Sequence, residues 1–437
     1  MEKIITRFPP SPTGPFHVGN ARTALFNYLF TKQNNGQMLF RMEDTDKERS
    51  KKEYEEDIIE NLKWLGIELD YKNLHRQSER QNVYKKYLEK LIGEGKAYVS
   101  KETEGDRDEV IRFKNPNKKI KFDDLIRGKI EFDTTELKDF VIAKSVNEPV
   151  YHLAVVVDDY ETGVTHVVRG EDGISNTPRQ ILIQEAINAP RPVYAHLPFI
   201  LAPDRSKLSK RKHGESVSVS YYKNEGYLAE AMINFLALLG WNPGTEQEIF
   251  SMQELIEKFD IKKVQKAGAV FNVEKLNWMN REYIKKMPQE ELEKILLNYI
   301  PASTDKNKLK KIVELEAERI SKFSDIKEGI GYLFDINDYD PKDLVWKNSS
   351  AQKTSEYLNE LVKILCDIVE SDWTAEGIKT TVMPYAEQNG RGEVLWPLRM
   401  ALTGLERSPD PFIIAYILGK DETINRLKNA RSKLSVI

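Results

Sequence analysis

RFPPSPTGPFHVGN, residues 7–20, is the stretch on which the reading of the fold turns. Ile4 to Phe8 reads as a strand, a run of prolines stiffens the turn, and glycines at 14 and 19 let backbone approach a ligand. A helix follows from about Asn20 to Lys32, with Ala21, Ala24, Leu25, Tyr28 and Leu29 on one face at helical spacing. A second strand covers Met38 to Met42. Strand, turn, helix and strand make the front half of an α/β nucleotide-binding unit. The helix start would offer N–H groups and positive dipole to a phosphate. His17 sits where an imidazole could donate to a phosphate oxygen as charge develops.

Working outward, a helix over Lys52 to Leu65 follows, and a further one opens at Ser78-Glu79-Arg80-Gln81 with a capping-box pattern. From Lys96 to Lys138 the sequence turns charged and irregular, as expected of an insertion between two halves of the nucleotide fold. The second half resumes near Phe140, with a strand at Val164 to Arg169. A helix opening at Thr177-Pro178-Arg179-Gln180 comes next, again with a capping box, and a strand lies within Pro192 to Leu201. Beyond Tyr227 the patterns are helical almost throughout.

With 437 residues the chain is long enough for two or more domains, and 40% hydrophobic residues supply their cores. Mean hydropathy is −0.54 and no apolar run is long enough to span a bilayer, which predicts a protein without membrane attachment. MEKIITRF shows neither a secretory nor a transit pattern, so the mature fold is expected to start near Met1. The lone cysteine, Cys366, excludes an internal disulfide and a cysteine-rich zinc site. It lies in LVKILCDIVE, where a small buried hydrophobe is expected, and a reducing cytoplasmic compartment fits. A net charge of −3 gives no overall basic signature, so any RNA contact must use local basic patches and shape.

KLSKRK, residues 207–212, puts four cations in six residues. Alone it is a solvated charge run. Beside the first motif it reads as a clamp whose ammonium groups neutralise a leaving pyrophosphate. At this point the sequence resembles the glutamyl-tRNA synthetases, a branch of the class I aminoacyl-tRNA synthetases. HVGN (17–20) and KLSKR (207–211) look like the two class signatures. SPTG (11–14), RMEDTD (41–46) and RQSER (76–80) resemble the glutamate branch. VVVDDYETGVTHVVRGEDGISNTPRQ (155–180) and GEVLWPLRMALTG (392–404) match it as well.

The resemblance implies an α/β Rossmann-type nucleotide-binding catalytic domain with an α+β insertion, followed by an all-α C-terminal half. Its parts would be catalytic halves at 1–77 and 151–205, an acceptor-end-binding insertion at 78–150, a connecting stem-contact helical domain at 206–286 and an α-helical anticodon-binding domain at 287–437. It implies that L-glutamate is activated with ATP and transferred to the terminal adenosine of tRNA(Glu) by a monomeric enzyme. His17, Lys207 and Lys210 would be catalytic. ATP would meet His17, Gly19, Glu171, Lys207, Ser209 and Lys210, with Mg²⁺ bridging the phosphates. Glutamate would meet Arg7, Ser11, Glu43, Tyr151 and Arg169, and Arg319 would read an anticodon base. A structural ion pair with Asp44 or Glu171 is the alternative for the two pocket arginines.

A pocket built on charge pairing rejects glutamine by several kcal/mol, roughly 10⁴-fold, so no editing domain is needed. The sequence departs from the family in the insertion, at Gly173 and, in a minor way, at Pro9, where some relatives have Ala. KAYVSKETEGDRDEVIRF (96–113) stands where many bacterial members carry a zinc motif, so structural zinc is not expected. Gly173 stands where His or Trp is common, which leaves no side chain there to stack on adenine. The competing readings are a relaxed form that also charges tRNA(Gln), the glutamine-specific branch, a truncated paralogue that modifies a tRNA base, a non-catalytic tRNA-binding paralogue and a metabolite adenylyltransferase.

Overall fold

The computed structural model describes residues 3–102 and 108–436, and of Lys210 and Glu328 the backbone alone. The chain divides into two compact units, Met1–Asn280 and Arg281–Ile437.

The first unit begins as the sequence reading expects. β1 (Ile5–Phe8) runs through α1 (Val18–Gln33) into β2 (Gln37–Met42), and the two strands pair in parallel with Arg7 opposite Leu39. α2 (Lys52–Trp64) then leads to the short β3 (His75–Arg76), which pairs in parallel with β2. A parallel strand is covered on both faces, and Thr6, Arg7 and Phe8 are all buried. α1 is buried further round than its one apolar stripe predicts. Phe30 is covered too, its ring 5.2 Å from that of His166, and Phe26 is covered because the helices Ala229–Leu238 and Met252–Lys258 pack on the outer side. The Phe26 and Phe259 rings meet there edge-on at 5.2 Å.

α3 (Gln81–Gly93) opens the inserted region. β4 (Ala97–Lys101), β5 (Glu109–Phe113), β8 (Phe140–Ser145) and β9 (Glu148–Pro149) form an antiparallel sheet in the order β4-β5-β8-β9. The hairpin between them, β6 (Lys119–Asp124) and β7 (Gly128–Asp133), leaves that sheet. After α4 (Tyr151–Glu161), β10 (His166–Gly170) and α5 (Thr177–Ile187) comes β11 (Val193–Leu197), and β6 pairs with it in parallel at Asp124 and Tyr194. The resulting order is β10-β11-β6-β7, so a hairpin from inside the insertion completes the sheet of the second half. Thr165 joins this sheet to the first: its N–H donates to the Ile5 carbonyl at 2.9 Å, and its hydroxyl accepts from the Ile5 N–H at 2.8 Å.

Three local expectations are corrected. Ser78 does not cap α3. Its N–H and hydroxyl both donate to Asp44, at 2.9 and 2.6 Å, and Arg80 precedes the helix without a side-chain cap. Thr177 does not cap α5 either. Asn176 takes that place while the Thr177 hydroxyl donates to the Gly173 carbonyl, and Pro178 stands in the first turn. Cys366 is exposed. Leu358, Leu361 and Leu365 take the buried face of the helix Ala351–Cys366, and the next residue turns away by one helical step of about 100°.

The second unit is helical among its described residues, from Gln289–Leu296 to Lys420–Leu434. The helix Ala351–Cys366 packs along Lys420–Leu434, and Leu361, Leu398, Ile414 and Leu427 are fully or almost fully buried.

Candidate active site

A cleft of about 590 Å³ opens where β1 and β10 end and α1 begins. Ligands of open α/β sheets bind at such carboxyl ends of strands. Arg7 reaches it from β1, His17 from the start of α1, Glu43 from just past β2, Tyr151 from the first turn of α4 and Arg169 from β10. Ser11 and Gly19 line it too, and Lys207 and Ser209 close one side from the loop that follows Ile200–Leu201.

His17 caps α1 with its own ring: Nδ1 accepts the Gly19 N–H at 2.9 Å. The Gly19 N–H is therefore taken by His17, and the Asn20 N–H donates to the His17 carbonyl. In return the ring's proton is held on Nε2, the other nitrogen. Burial first, and the nearby Lys207 ammonium second, hold the imidazole pKa below its usual value, so the ring is a neutral donor at pH 7. A Cβ at Gly19 would lie 3.2 Å from Nδ1, a tight contact that a glycine avoids. Asp57 of α2 anchors the loop from behind by accepting the Phe16 N–H at 2.7 Å.

The two pocket arginines are buried, at 2% and 9% exposure, and in each Nη1 is a buried nitrogen without a hydrogen-bond partner among the described residues. Arg7 donates through Nε to both Asp159 oxygens at 3.3 Å. Arg41 donates to the same carboxylate at 2.6 Å and to Glu43 at 3.0 Å. Burial pushes the Glu43 carboxyl up, while Arg41 and Arg7 pull it back. Arg169 donates through Nε to His196 Nε2 at 3.1 Å, and through Nη2 to the Gly173 carbonyl and the Thr177 hydroxyl at 3.0 and 2.8 Å. Nη1 of Arg7 and Nη1 of Arg169 are buried without a hydrogen-bond partner among the described residues. A buried cationic nitrogen without a partner is expensive. Two such arginines lining one cleft fit an anion that arrives with the ligand.

Gly173 has a role that its place in the sequence does not reveal. A Cβ there would stand 2.3 Å from Arg169 Nε, so the guanidinium occupies the space a side chain would fill. On the far wall, the Lys207 ammonium rests 4.1 Å from the centre of the Phe199 ring. Lys210 opens a four-residue helix, and its side chain lies outside the described residues.

The family of tRNA synthetases class I (E and Q), catalytic domain, matches residues 3–106 and 100–278, and an anticodon binding domain family matches 281–431. The chain belongs to the class I tRNA synthetases for glutamate and glutamine. This synthetase is 40% identical to the glutamate–tRNA ligase of Aquifex aeolicus over 100% of both chains, and 39% identical to glutamate–tRNA ligase 1 of Petrotoga mobilis over 98% and 97%. Among solved structures, a glutamate tRNA ligase of Elizabethkingia meningosepticum in complex with its amino acid superposes with a TM-score of 0.87. That pair is 33% identical and covers 99% of this chain and 100% of the other.

Not every site residue expected from the resemblance lines the synthetase cleft. Glu171 is outside it. Its carboxylate accepts the Phe199 N–H at 2.6 Å and pairs with Arg127 at 2.5 Å, so it braces the wall. Neither pocket arginine makes the ion pair weighed as its alternative: Arg7 pairs with Asp159, Asp44 holds Ser78, and Glu171 holds Arg127. Arg319 lies in the second unit, 45% exposed, with its guanidinium 3.8 Å from the buried Glu316. Sequence reasoning missed Asp159 and Arg41, although adjacent acids in the apolar helix VVVDDY were a signal for a buried charge pair. It also missed Asp124 and His196, for which no local signal exists, since 72 residues separate them.

Proposed function

We propose that this chain works as a glutamate–tRNA ligase whose amino-acid pocket is built on Arg7 and Arg169. The observation that carries the assignment is that two arginines, each with a buried and unpartnered Nη1, line one cleft beside a neutral His17 donor and a loop ammonium. A side-chain carboxylate satisfies both guanidinium groups; an amide leaves them poorly paired. Glu43 takes the α-ammonium, with Tyr151 and Ser11 as polar neighbours. ATP lies along the start of α1, where His17 Nε2 donates to a phosphate oxygen and Lys207, Ser209 and Lys210 gather the departing pyrophosphate.

The glutamate α-carboxylate then attacks the α-phosphate, giving the adenylate and pyrophosphate. A ribose hydroxyl of the terminal adenosine of tRNA(Glu) next attacks the mixed anhydride, and AMP leaves. Neither step needs a protein nucleophile; proximity and charge stabilisation supply the rate. Among the described residues no group of three or more His, Cys, Asp or Glu is placed to hold a metal. Mg²⁺ would arrive with the nucleotide and offset the charge of its phosphates. The inserted region serves the acceptor end, residues 206–286 the stem, and the helical unit the anticodon, with Arg319 on a base. We further assign a monomer working in the cytoplasm; no described helix is long and apolar enough to cross a membrane.

The test is ATP–pyrophosphate exchange with L-glutamate and with L-glutamine, with and without tRNA, on wild type and Arg169→Ala. Exchange is expected with glutamate in the presence of tRNA. The variant is expected to need glutamate at about tenfold or higher concentration, the scale of a lost charge-assisted bond, with ATP binding intact. Saturation at wild-type glutamate levels would mean that the pocket is misassigned.

A further inference from the structure

Behind Arg169 stand two buried groups that the reaction above does not use. Asp124 closes β6, in the hairpin that leaves the insertion to join the second sheet. Its Oδ2 lies 2.6 Å from His196 Nδ1, and both side chains are fully buried. His196 Nε2 lies 3.1 Å from Arg169 Nε. An arginine Nε–H only donates, so His196 Nε2 is the acceptor, and the ring proton sits on Nδ1 and points at Asp124. Burial keeps this imidazole below its usual pKa, which agrees with a neutral ring. Arg169 Nη2 is already used by Gly173 and Thr177, which leaves Nη1 as the nitrogen on offer.

We propose that Asp124 and His196 are positioning residues for amino-acid selection: Asp124 sets the tautomer of His196, and His196 sets the rotation of Arg169. The inference rests on the glutamate reading. Carboxylate and amide both present an oxygen to a guanidinium, and they differ in the second atom. Telling them apart therefore depends on the angle at which Nη1 is held. If the His196 proton moved to Nε2, it would face the Arg169 Nε–H, donor against donor, and the guanidinium would swing away. The hairpin docks through this same aspartate. Asp124 also accepts the Ile126 and Arg127 N–H groups at 3.0 and 2.8 Å and the His196 N–H at 3.1 Å. Selection at the catalytic cleft is thereby tied to correct seating of a piece of the insertion.

The experiment uses the full-length enzyme with tRNA and varies L-glutamate and ATP separately. The variants are His196→Phe, His196→Gln, Asp124→Asn and Arg169→Ala, with His196→Phe also made in the Arg169→Ala background. His196→Phe removes the acceptor and is expected to raise the glutamate KM by about tenfold or more, with kcat at saturating glutamate and the ATP KM unchanged. His196→Gln restores an acceptor oxygen and should return the glutamate KM toward wild type. Asp124→Asn should behave like His196→Phe. Adding His196→Phe to Arg169→Ala should change nothing further, since the two act on one contact. Equal rises in both KM values, or no rescue by glutamine at 196, would make the pair a structural brace and overturn the proposal. The histidine series carries the test should Asp124→Asn fail to fold. If Arg169→Ala raises the glutamate KM and His196→Phe does not, the positioning chain falls and the pocket stands. An unchanged glutamate KM in Arg169→Ala overturns both.

Discussion

His17 shows how one residue both builds and uses a site. Its Nδ1 caps α1 through the Gly19 N–H, and that same bond leaves Nε2 as the donor. The cap is worth about 1 kcal/mol, but its chemical value is the fixed tautomer. Replacing His17 by Ala should slow adenylate formation by about 10²-fold, the scale of one lost transition-state donor. Single-turnover rates equal to wild type would remove it from the phosphate site. Arg7 illustrates the other need of a buried cation. Asp159 neutralises it from behind through Nε, which leaves the two Nη nitrogens, Nη1 of them buried and unpartnered, to a ligand. Sequence reasoning placed both arginines beside one ligand but missed the acid that makes the burial of Arg7 tolerable, because position 159 is 152 residues away along the chain.

At the scale of elements, the loop between β1 and α1 is held by α2. The Asp57 carboxylate accepts the Phe16 N–H at 2.7 Å, the Ser220 hydroxyl at 2.6 Å and the Asn61 amide at 2.8 Å. Losing such a hub leaves a buried donor unpaired, at about 1–3 kcal/mol. Asp57→Ala should therefore lower the denaturant midpoint and raise the ATP KM together, since the same loop carries His17. A fall in stability with an unchanged ATP KM would show that the loop keeps its shape without this anchor. The strand–turn–helix unit was legible because its signals are local: proline punctuation, then apolar spacing at helical period. The caps at Ser78 and Thr177 were misread because those hydroxyls serve other partners, the distant Asp44 for one and the Gly173 carbonyl and Arg169 for the other. A local pattern cannot register that competition.

For the whole molecule, histidines that are partly or fully buried contribute to the acid response. His152 is pushed down to about 4 by burial first and by Arg179 and Arg169 next. Unfolded, it titrates near its ordinary value of about 6.5. Between those values the unfolded chain holds the extra proton, so this residue's effect on stability weakens as pH falls from about 6.5 to about 4 and is flat above. His17, His166 and His196 are lowered in the same direction, whereas Glu43 and Glu316, raised by burial, work against them. The clean readout is the stability difference between wild type and His152→Gln. It should shrink steadily across that window; a difference independent of pH would show that position 152 does not titrate as stated.

The sequence by itself determined the α/β front, the helical back and the family. Periodicity and motif spacing are carried by neighbouring residues, and they survive without knowledge of the packing. Tertiary structure alone decided which charges face one another. It paired Arg7 with Asp159, set Asp124 behind His196 and Arg169, and moved Glu171 out of the cleft into the wall. The physical reason is the cost of a buried charge, which only a partner can offset, and that partner is chosen by how the sheets meet rather than by position along the chain.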